Sequence, residues 1–146
     1  MKKLVLAVVS SLLVAACTSS TPGGMSRWME DYGPNFPVPK PGLAALYIVR
    51  GDAPPDAAPI NITISGQLAG GVTGLTWMLF DLPPGFQDLR AVGTTENNEL
   101  IITTAPGETR FLLVQPTTPG NAQLLEISQA EGRLLVRQGQ HMQELR

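Results

Sequence analysis

The chain has 146 residues, of which 43% are hydrophobic and 15% are charged, and its formal net charge is −2. This length suits one domain with short extensions, and the slight acidity disfavours nucleic acid and anionic lipid surfaces as partners. Fifteen glycines and thirteen prolines favour many turns and short strands over long helices.

The first seventeen residues have the three parts of a secretory signal peptide. Met1-Lys2-Lys3 is basic, the run from Leu4 to Val14 is apolar but too short to span a bilayer comfortably, and small residues follow. The end of the segment resembles the bacterial lipobox, which implies a lipidated cysteine as the first mature residue; it consists of Val14, Ala15, Ala16 and Cys17. The alternative is an ordinary signal peptide cut after an Ala-x-Ala site, with Cys17 incidental.

The lipobox resemblance implies a diacylglycerol-modified, palmitate-type acylated Cys17, and therefore a membrane anchor. Each buried methylene contributes about 0.8 kcal/mol, so three acyl chains exceed what stable anchoring needs. Thr18 follows the cysteine. By analogy with bacterial lipoproteins, the absence of Asp at this position implies the outer membrane, with the protein facing the periplasm. Cys17 is the only cysteine, so no intramolecular disulfide can form. Loss of Lys2 and Lys3 leaves eight basic against twelve acidic residues.

Residues 18–41 are predicted to be a tether rich in Pro, Gly and Ser. About 24 residues would reach roughly 30 Å as a flexible coil, so the domain is expected to stand off the membrane. The segment from Met25 to Tyr32 is more apolar than a pure linker. It suggests a short helix or a partner-docking segment around Trp28, or a segment that folds back onto its own domain.

Residues 42–146 are predicted to form the folded domain. Leu43–Arg50 is nearly apolar throughout and is predicted to be a central strand. Ile60–Ser65 alternates, with its isoleucines toward the core. A tight turn at Gly66-Gln67 leads to Leu68–Val72, where Gly70 and Gly71 indicate a bulge or a close backbone approach.

Leu75–Leu89 is predicted to be a β-hairpin around which the other strands are arranged. Pro84-Gly85 is typical of a type II turn. A two-residue loop would place Leu82 opposite Gln87, Asp81 opposite Asp88 and Phe80 opposite Leu89. Alternation predicts a core face on this hairpin, formed by Met78, Phe80, Leu82, Leu89 and Ala91. Trp77 falls on the other face, and is either an exposed platform or, in the opposite register, a core residue.

The C-terminal third predicts three more strands and then a helix. The strands are Glu99–Thr104, Thr109–Gln115 and Ala122–Ile127. Ser128 with Glu131 three residues later is a capping box, which predicts a short helix ending near Gln138 and a frayed tail from Gln140. The predicted fold class is therefore all-β: an antiparallel β-sandwich of about seven to nine short strands with one short C-terminal helix.

A resemblance to a known group of proteins rests on four short motifs: Ala45–Arg50, Leu82–Gly85, Pro106–Thr109 and Glu131–Arg133. With the order of elements, they resemble a family of small bacterial lipoprotein domains of unknown function. That family is similar to the transthyretin-like and carboxypeptidase-regulatory β-sandwiches, which implies an accessory or adhesion module. Many relatives have a histidine two residues after the Pro-Gly turn, where this chain has Gln87. The resemblance implies no catalytic residue.

The polar residues form no arrangement typical of catalysis. The single histidine, His141, is expected to be solvated near the chain end, and Asp81 and Asp88 are expected to be solvated beside a turn. Arg50 is expected to make a surface ion pair with Asp52 or Asp56. No His, Cys and Asp spacing fits a metal, so neither a metal nor a cofactor is predicted, and the protein is predicted not to be an enzyme.

The sequence thus predicts a non-catalytic lipoprotein of the outer membrane, with an envelope protein as partner and a structural or interaction role. The alternative is a binding module for a cell-wall or surface glycan that uses Trp77 or Trp28. No nucleic-acid partner is expected.

Overall fold

The structure is a computed structural model and describes residues 33–51, 57–92, 97–117 and 121–142. A 3-10 turn, Gly33–Asn35, comes first. The strands are β1 (Ala44–Arg50), β2 (Ile60–Ile64), β3 (Gln67–Val72), β4 (Thr76–Leu82), β5 (Gly85–Val92), β6 (Asn97–Thr104), β7 (Thr109–Pro116), β8 (Ala122–Ile127) and β9 (Gln140–His141); helix α1 (Gln129–Gln138) lies between β8 and β9.

The strands form two packed sheets, which confirms the predicted sandwich with one short C-terminal helix. The five-stranded sheet has the order β8-β7-β1-β4-β9, and the four-stranded sheet has the order β3-β2-β5-β6. Pairing is antiparallel throughout the four-stranded sheet. The five-stranded sheet is mixed, because β1 runs parallel to β7 and β4 runs parallel to β9.

The predicted central strand is confirmed as β1. It pairs with β4 on one side and with β7 on the other, and all seven of its residues are buried. A strand covered on both faces has no water-facing side, which explains why the sequence here is nearly apolar rather than alternating.

The predicted β4–β5 hairpin is wrong, because the two strands belong to different sheets. β4 pairs with β1, so that Leu82 lies opposite Ala44, whereas β5 pairs with β2 and β6. The Pro-Pro-Gly sequence is a corner at which the chain crosses from one sheet to the other. The Pro83 carbonyl accepts hydrogen bonds from Gln87 Nε2 and Thr104 Oγ1, both at 2.8 Å. Side chains thus satisfy the backbone at a place where Pro83 and Pro84 cannot donate to a ladder.

The inward face predicted for these two strands is nevertheless correct. Its five residues all lie in the core between the sheets, and they are Met78, Phe80, Leu82, Leu89 and Ala91. Alternation along a strand decides which side chains share a face, and it does so whichever strand is the neighbour. The face could therefore be predicted although the pairing was not.

β2 and β3 form the predicted hairpin, with its tight turn one residue earlier than expected. Ser65 and Gly66 occupy the turn with φ of 50° and 80°, which matches the left-handed conformation that two-residue hairpin turns need. Ile62 is buried in the core, with Ile60 and Ile64 packed against it, as predicted. The pairing register shifts between Ile62 and Thr63, opposite the glycine pair, so the predicted bulge is confirmed.

Helix α1 begins and ends where the sequence indicated. The Ser128 side chain accepts a hydrogen bond from the Glu131 amide at 3.2 Å, and the helix ends at Gln138. The helix packs on the outer face of the five-stranded sheet over a second apolar cluster. Gly132 is buried there, and a Cβ at this position would overlap the ring of Phe111. Glycine therefore lets the helix approach the sheet closely.

The chain before β1 also packs on this outer face. The Phe36 ring lies 5.5 Å from that of Tyr47 and 6.0 Å from that of Phe111, and Lys40 pairs with Asp81. The last part of the predicted tether, from Gly33 to Pro41, thus lies against the domain. Aromatic packing explains this, because burial of the Phe36 ring is favourable, whereas an extended linker would leave the ring in water.

Within the described residues, no helix is long and apolar enough to cross a membrane.

Candidate functional site

The predicted anchor and one of the two predicted binding residues lie outside the described residues. This applies to the lipobox residues Val14, Ala15 and Ala16, to the lipid-acceptor Cys17, and to the aromatic Trp28. These predictions are unchanged by the structure.

Of the two alternatives for Trp77, the structure shows a buried side chain and not an exposed platform. Its side chain is 1% exposed, and its ring lies 5.9 Å from that of Tyr47 and 4.5 Å from that of His141. Its side chain does point away from the core between the sheets, as the predicted alternation with Met78 and Phe80 required. What alternation could not indicate is that other segments cover this second face. The glycan-binding alternative relied on Trp77 and Trp28. Trp77 is too buried to bind a glycan, and Trp28 lies outside the described residues.

His141 is held in place rather than solvated at a frayed end. Gln140 N donates to Leu75 O and Met142 N donates to Trp77 O, each at 2.7 Å, which docks β9 along β4. The imidazole then packs on the Trp77 indole. The prediction failed because a two-residue strand has no sequence signal of its own and forms only where a long neighbour offers free backbone groups.

Arg50 is buried rather than exposed at the surface. Its residue is 6% exposed, and Nη1 donates to the carbonyl oxygens of Ala58 at 2.7 Å and Val72 at 3.0 Å. The two predicted partners, Asp52 and Asp56, lie outside the described residues. Backbone carbonyls are suitable acceptors for a buried guanidinium. Arg50 therefore joins the end of β1 to the strand pair β2–β3.

Asp81 and Asp88 do not face each other, since they belong to different sheets. Asp81 pairs with Lys40, whereas Asp88 pairs with Arg90 at 3.0 Å. Two carboxylates with separate cationic partners do not form an acid–base pair. Among the described residues, no group of three or more His, Cys, Asp or Glu side chains could hold a metal ion.

Tyr47 is the one buried hydroxyl of the second apolar cluster. Burial raises its pKa to about 12, and Arg133 partly opposes the rise. The ring stacks on Phe111 with 4.9 Å between the centroids. A phenol that keeps its proton throughout the neutral range and packs between rings is a structural group.

The most unusual surface is the outer face of the four-stranded sheet. Phe86 is 82% exposed and Ile101 is 61% exposed. Phe86 pairs with Thr103 and Ile101 pairs with Asp88, so the two apolar side chains are diagonal neighbours on adjacent strands. Exposed aromatic and branched apolar residues side by side are typical of contact surfaces.

Charged residues continue this surface along the same two strands. Arg90 lies between Asp88 at 3.0 Å and Glu99 at 3.4 Å. The hydrogen bond that Arg90 donates to Asp88 raises the pKa of Arg90, and the charges of Asp88 and Glu99 raise it further. We call the outward side chains of these strands the β5–β6 face: Phe86, Asp88, Arg90, Glu99, Ile101 and Thr103. It combines an apolar end with a charged end, as contact surfaces with a polar rim do.

The sequence contained a signal for this face that the hairpin prediction obscured. Alternation with the predicted core residues Leu89 and Ala91 puts Asp88, Arg90 and Val92 on the outward side of β5. Two residues earlier on the same side stands Phe86, which the assumed turn left unassigned. Strict alternation across Phe86, Asp88 and Arg90 would have placed an aromatic ring on the polar side.

The chain matches no family model, and a search of the curated proteins finds no match.

Proposed function

We propose that this protein is a lipid-anchored module of the bacterial envelope that acts by contact with another envelope protein and not by catalysis. Support for the anchor comes from the sequence, with its basic start, its short apolar run and its lipobox-like ending at Cys17. By the same argument the module resides at the outer membrane and faces the periplasm.

The observation that carries the contact function is the exposure of Phe86 and Ile101 on the β5–β6 face. Burying a phenylalanine or isoleucine side chain stabilises a complex by about 1.5–3 kcal/mol relative to leaving it in water. Two such residues side by side are comparable to the few residues that supply most of the binding energy of a protein–protein interface. The adjoining ion pairs are exposed and contribute little to stability, so they are available to set the orientation of a partner.

The anchor is tested by mass spectrometry of the protein purified from membranes. The mature chain is expected to begin at Cys17 and to bear a diacylglycerol group and an amide-linked acyl chain. Cys17→Ser is expected to remove the modification and release the protein from the membrane fraction. An unmodified cysteine on a soluble protein contradicts the anchor.

The contact surface is tested by site-specific photo-crosslinking in intact cells. A photoreactive phenylalanine analogue at position 86 is expected to give a discrete adduct with an envelope protein. The matched control is the same analogue at position 134, because Leu134 is an exposed apolar residue of α1 outside the β5–β6 face. Equal adducts at both positions, or none at position 86, contradict the proposal.

A further inference from the structure

A cavity opens where the described chain begins. It has a volume of about 330 Å³ and is lined by Pro34, Trp77, Gly139, Gln140 and His141. Three of these residues carry rings: the pyrrolidine of Pro34, the indole of Trp77 and the imidazole of His141. The backbone hydrogen bonds between β9 and β4 fix the positions of two of these residues, Gln140 and Trp77. Rings stack on such surfaces, so an aromatic side chain is the fitting occupant.

Two positive charges lie near this corner of the molecule. The guanidinium carbons of Arg133 and Arg137 are 4.9 Å and 5.5 Å from the centre of the Phe36 ring. Neither arginine makes a salt bridge to a carboxylate of the described residues. The 3-10 turn Gly33–Asn35 packs against the same helix. Carboxylates that entered with the preceding chain would therefore meet these two charges.

The sequence just before Gly33 has both the ring and the charges that this corner fits. Trp28 stands five residues before Gly33, and Glu30 and Asp31 are adjacent acids between them. Five residues span up to roughly 17 Å, which is enough for the indole to reach the cavity beside Pro34. Tyr32 is a poorer occupant, because it is only two residues from Pro34, which is itself a wall of the cavity.

We propose that the segment 25–32 docks on this corner of its own domain, with Trp28 in the cavity and Glu30 and Asp31 beside Arg133 and Arg137. The docked segment shortens the free chain between Cys17 and the domain from residues 18–32 to residues 18–24. The root-mean-square reach of that chain falls from roughly 21 Å to roughly 15 Å. The consequence for distance from a membrane rests on the proposed lipid anchor, whereas the docking itself does not.

The docking is tested on the full mature chain with Cys17→Ser, labelled with 5-fluorotryptophan. The chain has two tryptophans, so Trp28→Phe assigns both fluorine resonances. The Trp28 resonance is expected to be broadened severalfold less by a soluble paramagnetic probe than that of free 5-fluorotryptophan. Broadening equal to that of the free amino acid overturns the proposal, even if Cys17 proves to be lipidated in cells.

Two sets of variants identify the occupant and the role of charge. Trp28→Ala is expected to shift the Trp77 resonance, whereas Tyr32→Ala leaves it in place; the reverse pattern overturns the assignment of Trp28. The double substitution Arg133→Glu, Arg137→Glu is expected to raise the broadening of Trp28 severalfold. The matched control is Arg133→Lys, Arg137→Lys, which keeps the charge and is expected to keep Trp28 protected. Identical broadening in both double variants overturns the charge pairing.

Discussion

On the five-stranded sheet the outward-facing Phe111 is 1% exposed, whereas on the four-stranded sheet the outward-facing Phe86 is 82% exposed. Both are phenylalanines on strands of the same sandwich, and both point away from the core between the sheets. The first lies under α1 and beside Phe36, while no described segment covers the second. The alternation of side chains along a strand decides which face of the sheet a residue occupies. Whether that face is buried or exposed depends on the segments that pack on it.

The covered face is in effect a second core. It contains Tyr47, Trp77, Phe111 and Val136, with Phe36 packed against them. The sheet is thus sandwiched twice, by the other sheet and by the helix with the chain that precedes β1. On the β5–β6 face, by contrast, Phe86 and Ile101 remain exposed, and this is the reason for assigning the contact function there.

The largest expected effect comes from making the same substitution on the two faces. Phe111→Ala is expected to lower the free energy of unfolding by about 4 kcal/mol, because it leaves a cavity beneath the helix. Phe86→Ala is expected to change it by less than about 0.5 kcal/mol, because the ring is already in water. Urea unfolding followed by circular dichroism measures both. Similar losses for the two variants would show that the faces are not different.

The next prediction concerns how closely α1 packs on the five-stranded sheet. Gly132→Ala would place a methyl group inside the Phe111 ring, so the helix must move away from the sheet. Alanine favours a helix over glycine by about 1 kcal/mol, and overpacking costs about 1–3 kcal/mol. We therefore expect a net loss of up to about 2 kcal/mol in urea unfolding.

The control for this effect is Gln138→Ala, at an exposed position of the same helix, which is expected to be within about 0.5 kcal/mol of the parent. A gain in stability for Gly132→Ala would mean that the helix does not pack on Phe111.

The smallest effect is the pH dependence of the covered face. Burial raises the pKa of Tyr47 to about 12, whereas an unfolded tyrosine ionises near pH 10. The unfolded state therefore loses this proton first, and the stabilising contribution is complete below pH 10 and falls as the pH rises toward 12. We expect the parent chain to lose about 1–2 kcal/mol more than Tyr47→Phe between pH 9 and pH 12.

Unfolding free energies of the parent and Tyr47→Phe, measured at intervals of pH, give this difference directly. Parallel curves for the two proteins would place the hydroxyl in solvent and contradict the burial of this face.

Short-range patterns made several elements predictable. The capping pair Ser128 and Glu131 located the start of α1, and alternation located the inward residues of β4 and β5. The apolar run of β1 indicated a strand buried on both sides. Each of these signals depends on residues within one turn of helix or a few positions along a strand, so it is complete in the local sequence.

The errors all concern which distant segment lies beside which. Pro84-Gly85 suits a hairpin turn and a corner between sheets equally well, and only the pairing of β4 with β1 and of β5 with β2 distinguishes them. Trp77 was assigned to one of two environments by its neighbours on α1 and β9. Arg50 is buried and donates to backbone carbonyls of β3 and of Ala58, which the sequence around it did not indicate.

The sequence by itself determined the fold class, strands β1 to β8 with the helix, and the sides of β2, β4 and β5 that face the core between the sheets. It also contains the anchor signal at Cys17, which stays a prediction. The tertiary structure alone decided sheet membership, the burial of Trp77, the docking of His141 on it, and the exposure of Phe86. The physical reason is range: alternation and capping act between near neighbours along the chain, whereas cover depends on segments brought together only by folding.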